Sequence, residues 1–138
     1  YNRFFQVKFN DAWLNEGLAD YLGYAFGLDR AGYARQDWLD KHRFKALAAK
    51  SIPFDHFFEI DPHDLKTDDE VRIFYRQGFS VVFMLVEHFG RADFLRFLNA
   101  YRDSAGNASI ALAKVYPTIP DTEALAGLWG LYFGKSAN

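Results

Sequence analysis

One stretch decides most of what this chain can fold into. Residues 70–89, EVRIFYRQGFSVVFMLVEHF, carry Phe74, Tyr75, Gly78, Phe79, Val82, Leu85, Val86 and Phe89 on one side of a helical repeat, and Gly90 follows. That is the pattern of an α-helix with a long apolar face, stopped by a residue suited to a helix end. Such a face must be covered by other elements. The rest of the chain supplies mostly helices. NDAWLNEGLADYLGYAFG (10–27) predicts the first, with Asn10 as N-cap, Asp11 in the first turn and Gly27 as the stop. Others are predicted over 35–50, 91–104, 108–116 and 121–134, the last capped by Asp121 with Glu123 in its first turn. The stretch 51–69, SIPFDHFFEIDPHDLKTDD, reads as a long loop punctuated by Pro53 and Pro62. Only FFQVKF at 4–9 carries a trace of strand alternation. The expected fold is mainly α, a compact helical subdomain of about six helices forming one domain over residues 1–138.

Composition narrows the function. Half the residues are hydrophobic and 19% are aromatic, enough for a packed core and far from a disordered chain. The formal net charge is −2, from 16 basic and 18 acidic residues, so there is no basic excess of the kind a nucleic-acid binder carries. KHRFK at 41–45 reads as the solvated side of a helix. The absence of cysteine excludes disulfides, thiolate metal sites and a cysteine nucleophile. No apolar run is long enough to span a membrane. The sequence opens abruptly at YNRFFQVKF, without an initiator methionine or a signal peptide. The expectation is a piece of a longer protein.

The first helix poses the chemical question. Trp13, Leu14, Gly17, Leu18, Tyr21, Leu22 and Ala25 form its apolar stripe, and Glu16 and Asp20 lie together along the Trp13 edge. Positions four apart on a helix differ by only about 40° in direction, so the two carboxylates are neighbours. Like charges at that spacing repel unless a cation sits between or above them. Two readings stay open on spacing alone. One is an acidic helix edge paired with an arginine or lysine. The other is part of a metal site.

WLNEGLADY, residues 13–21, resembles the helix that carries the third zinc ligand in the gluzincin metallopeptidases, the peptidase MA-like group that includes aminopeptidase N-like and thermolysin-like enzymes. In that group a first helix carries HExxH, whose two histidines bind zinc, and a second helix delivers a glutamate inside an Asn-Glu-Gly motif. The resemblance implies that Glu16 is the metal ligand, an anionic oxygen beside two imidazoles that leaves a position open for water. It implies that Asp20 stands behind a zinc-binding histidine and orients its ring, with Asn15 in the same supporting role. Gly17 would then allow close helix–helix approach.

A second stretch, IFYRQGFSVVFML (73–85), is similar to the Tyr-x-x-Gly helix of the aminopeptidase N-like enzymes. There the tyrosine hydroxyl donates to the oxyanion of the tetrahedral intermediate, and Tyr75 takes that place. A core tyrosine with a satisfied hydroxyl is the competing reading of Tyr75. The family lysine two residues on is replaced by Gln77. FGRADFLRFLNAYR and ALAGLWGLYFG look like the closing helices of the same branch, so the likeness runs loosely over residues 10 to 134.

The rest of a zinc site is not in the sequence. The histidines are His42, His56, His63 and His88, and no two are four apart. MLVEH (84–88) misses the inverted motif because Met84 stands where a ligand is needed, and a thioether is a poor zinc ligand beside imidazole. Glu87 and His88 therefore read as helix surface or edge. DPHD (61–64) reads as a hydrogen-bonded loop rather than a metal site. HExxH lies roughly twenty residues before the glutamate in the family, and fifteen residues precede Glu16 here. The implied function is the C-terminal portion of a zinc-dependent metallopeptidase, acting on peptides with zinc as cofactor and needing an upstream HExxH-bearing segment. Alone it would be inactive and would not hold zinc tightly. The alternative is a non-catalytic helical scaffold or protein-interaction module of the same fold.

Overall fold

The structure is a computed structural model that describes residues 12–25 and 50–134. The expectations for residues 4–9, Asn10, Asp11, Gly27, His42 and the helix over 35–50, except its last residue, lie outside the described residues. Among the described residues there are six α-helices: α1 (Ala12–Ala25), α2 (Phe54–Phe57), α3 (Asp68–Phe89), α4 (Arg91–Asp103), α5 (Ala108–Val115) and α6 (Thr122–Trp129). A 3-10 turn covers Pro62–Asp64, and a π-helical turn, Gly130–Gly134, continues α6. No strand occurs among the described residues. No described helix is long and apolar enough to cross a membrane.

The centre is α3. Every residue from Gln77 through Val86 is buried, so this helix is enclosed on all sides rather than amphipathic in its middle. It starts two residues earlier than the periodicity alone predicts, because Thr67 builds a capping box. The Glu70 amide donates to Thr67 Oγ1 at 3.1 Å, and the Thr67 amide donates to Glu70 Oε1 at 3.0 Å. Those two bonds satisfy amides that have no partner within the helix, and Asp68, Asp69 and Glu70 place negative charge at the positive end of the helix dipole. Backbone donation from Lys66 and then Thr67 holds the Glu70 carboxyl below its ordinary pKa. Gly90 ends the helix at φ 101° and links directly to α4. This is the left-handed region that a side chain would strain.

The other helix starts follow the same chemistry. Asn107 Oδ1 accepts from the Ile110 amide at 3.0 Å at the head of α5, and Asp121 Oδ1 accepts from the Ala124 amide at 2.8 Å at the head of α6. The second of these is the cap read from the sequence.

The helices close around an aromatic core. Trp13 is almost wholly buried, with its ring centroid 4.7 Å from that of Phe58 and 6.1 Å from those of Phe57 and Tyr101. Removing an indole so enclosed would cost about 3–5 kcal/mol. Phe54 and Phe57 explain why a short helix forms inside the expected loop. One turn aims both rings inward, Phe54 against Trp129 at 5.3 Å and Phe57 against Phe74 at 5.4 Å. Four hydrogen bonds pin this packing. Trp129 Nε1 donates to Ser80 Oγ at 2.8 Å, and Ser80 Oγ donates to the Gln77 carbonyl at 2.7 Å. The wholly buried Gln77 side chain accepts from the Ile52 amide and donates to the Ile52 carbonyl, both at 2.9 Å. The residue that departs from the family pattern thus anchors the segment before α2.

Candidate active site

The helices that carry the residues singled out from the sequence, α1 and α3, pack against each other. Trp13, Leu14, Gly17, Tyr21, Gly23 and Tyr24 are the buried residues of α1. Leu18 and Leu22, expected in the stripe, are only half-buried, and Tyr24 takes their share by packing on Phe83 at 5.5 Å and Phe79 at 6.2 Å. The crossing is backbone against backbone. A methyl group built on Gly17 would lie 2.5 Å from the Gly78 carbonyl oxygen and 3.1 Å from Val82 Cγ2. One built on Gly78 would lie 2.8 Å from the Trp13 carbonyl oxygen. Real side-chain carbons do not approach that closely, so only glycine fits either position without moving a helix.

Glu16 and Asp20 lie on α1 and Tyr75 on α3. Glu16 is exposed, Asn15 and Asp20 are half-buried, and Tyr75 is half-buried at the edge of the core with its ring 5.5 Å from that of Phe74. Burial raises the pKa of the Tyr75 phenol above its ordinary 10.0, and the negative charges of Glu16 and then Asp20 raise it further. The phenol therefore stays protonated at neutral pH and is available as a hydrogen-bond donor. No hydrogen bond or ion pair to another described residue occupies the Glu16 carboxylate.

The far side of α1 carries a second carboxylate contact. Tyr21 donates to Glu87 Oε2 at 2.5 Å. Burial first, then the bond to Glu87 and its charge, push the Tyr21 phenol well up. Glu87 is exposed at the helix edge, as the sequence suggested, but the sequence did not reveal its partner. His88 is exposed and packs edge-on to Phe89 at 4.7 Å and Tyr132 at 5.6 Å. Met84 is fully buried in the core. In the DPHD turn, Asp61 Oδ1 accepts from the His63 amide and meets His63 Nδ1, each at 2.9 Å. His56 is exposed on α2.

Among the described residues, no group of three or more His, Asp or Glu side chains comes together that could hold a metal ion. What the chain offers at the α1–α3 crossing is one solvent-facing carboxylate, fit to be a single ligand of a hard or borderline cation whose other ligands come from elsewhere.

Residues 3–125 match the sequence model of the Peptidase family M1 domain. Comparison with curated proteins and with solved structures returned no match. Peptidases of family M1 are in general zinc-dependent, and the family implies peptide substrates. The family match covers both α1 with its Asn-Glu-Gly run and α3 with its Tyr-x-x-Gly run, the two helices that the crossing holds in contact. This helical, metallopeptidase-related chain belongs to peptidase family M1.

Proposed function

We propose that this chain is the C-terminal portion of a zinc-dependent peptidase catalytic domain, and that the α1–α3 crossing is its contribution to the active site. Glu16 would be the third protein ligand of the zinc, beside two histidines of an upstream HExxH segment. Asp20, one turn along α1, would accept a hydrogen bond from one of those histidines and fix its ring, with Asn15 helping to hold the same region. When bound, the metal lowers the pKa of a water molecule and polarises the scissile carbonyl.

Tyr75 would act on the substrate itself. Its hydroxyl would donate to the peptide oxygen on which negative charge builds during attack. A donor aimed there favours the transition state over the ground state, and so acts on turnover more than on binding. The observation that supports this reading is the close contact of α1, which carries Glu16 and Asp20, with α3, which carries Tyr75, at Gly17 and Gly78 within the family match. One carboxylate cannot hold a catalytic zinc, so the chain by itself would be inactive.

Substitutions in the full-length protein test the roles separately. Glu16→Ala should abolish stoichiometric zinc binding. Asp20→Asn should weaken it roughly 10- to 100-fold, as changes behind a ligand do. Tyr75→Phe should keep the zinc and lower turnover by about 10²- to 10³-fold, the loss of one oxyanion donor. A submicromolar zinc site measured by calorimetry on these 138 residues alone would show that the site is built differently. An upstream sequence without HExxH would favour the non-catalytic scaffold.

A further inference from the structure

We infer that Gly17 and Gly78 are positioning residues of the reaction: their backbone-to-backbone contact sets the separation between the Glu16 carboxylate and the Tyr75 hydroxyl. The inference rests on the roles proposed for Glu16 and Tyr75. It adds two residues that touch neither metal nor substrate.

The argument starts from chain connectivity. Gly17 directly follows Glu16, and Gly78 lies three residues, nearly one helical turn, after Tyr75. Each glycine is rigidly tied to its functional neighbour by helical backbone. The two glycines also lie at a close contact of α1 and α3, with the Gly78 carbonyl oxygen 2.5 Å from where a Gly17 methyl would be. The obstacle is main chain, not the mobile end of a side chain, so it cannot rotate away. A methyl at either position must part the helices or slide one along the other. Either motion changes where Glu16 sits relative to Tyr75.

Other glycines show that this is not general to the fold. A methyl on Gly127 or Gly130 would meet nothing within 4 Å. The helical Gly17 and Gly78 carry the propensity cost of glycine at the crossing that joins the proposed site. Because a misplacement of about 1 Å at a reacting centre can cost roughly 10²-fold in rate, a wedge here should be read in turnover.

The test uses the full-length enzyme with two wedges of different severity. Gly17→Ala adds the methyl directly. Val82→Ile enlarges the side chain whose Cγ2 lies 3.1 Å from that same point, and is a milder change. Each is made with Tyr75 and in a Tyr75→Phe background, and kcat, KM and bound zinc are measured. The expected result is a fall in kcat of about 10- to 100-fold with KM within about threefold of its starting value. In the Tyr75→Phe background the wedges should lower kcat by less than about twofold, because the group they displace is gone.

Three outcomes overturn the inference. An equal loss of kcat with and without the Tyr75 hydroxyl would mean that the glycines act on the fold at large. A loss of melting temperature with kcat unchanged would mean the same. Failure of both wedge variants to fold would make the crossing a folding determinant and not a positioning device. Failure of the underlying reading looks different: Tyr75→Phe alone would leave turnover intact.

Discussion

Trp129 and Ser80 meet across the core, the indole N–H donating to the hydroxyl oxygen at 2.8 Å, 49 positions apart in the chain. This is the polar tie between α6 and α3, and both side chains are buried to 2% exposure or less. Ser80→Ala would leave a buried donor with nothing to accept its proton. The expected cost is about 1–3 kcal/mol. It should appear as a lower urea midpoint with an unchanged slope, since the surface exposed on unfolding stays the same. A midpoint within error of the unsubstituted protein would mean that Trp129 finds another acceptor.

The relation of Glu16 to Tyr75 makes a prediction that needs neither zinc nor substrate. A negative charge beside a phenol disfavours phenolate, so Glu16→Gln should lower the Tyr75 pKa. Asp20→Asn should lower it by less, as the weaker of the two influences. Burial is the leading cause, so the pKa should still lie above 10.0 in both variants. Titration followed by tyrosine Cζ NMR checks this. Equal pKa values in all three proteins would place the carboxylates out of reach of the hydroxyl.

Alkaline pH should destabilise the fold from about pH 10 upward. Tyr21, Tyr75, Tyr116 and Tyr132 all have phenols pushed above 10.0, with burial the first cause in each. In the folded chain they keep their protons to higher pH than in the unfolded chain. Between the unfolded and folded values the unfolded state therefore binds fewer protons, and stability falls as pH rises. The contribution is complete below pH 10 and is lost above it. Urea midpoints taken from pH 8 to 11.5 should decline over the upper part of that range, less steeply in Tyr21→Phe. A flat profile would contradict the protonated-phenol picture.

Thr67 and Gly127 give a pair of opposite sign. Thr67→Ala breaks the capping box of α3 and should cost about 0.5–2 kcal/mol. Gly127→Ala, at an exposed helical position with nothing within 4 Å of the added methyl, should stabilise by about 0.5–1 kcal/mol. Chemical denaturation of both variants decides the signs.

The helices were legible because their signals are local. The 3.6-residue period of α3, the stop at Gly90 and the cap at Asp121 each act within a few residues of themselves. The α2 turn was not legible, since one turn of FDHF carries too little period to stand out beside Pro53, and it forms because Phe74 and Trp129 wait for its rings. Tyr24 displaced Leu18 and Leu22 from the buried face for the same kind of reason, a partner on another helix. Gln77 looked like a flaw in a motif. Its value lies in Ile52, 25 positions away, which no local pattern can indicate. Of the candidate site, the residue types of Glu16, Asp20 and Tyr75 were readable through a family likeness. The contact of Gly17 with Gly78, which joins the helices that carry them, exists only in the assembled bundle.

The grip of Gln77 on Ile52 also reaches into the time domain. Ile52 lies in an irregular segment, where an amide would ordinarily trade its hydrogen with water during small local excursions. Here that amide is bonded to a side chain rooted in the enclosed middle of α3, and the Ile52 carbonyl is held by the same side chain. Freeing it requires the buried Gln77 side chain to let go. Ile52 should therefore take up deuterium more slowly than an irregular segment ordinarily does.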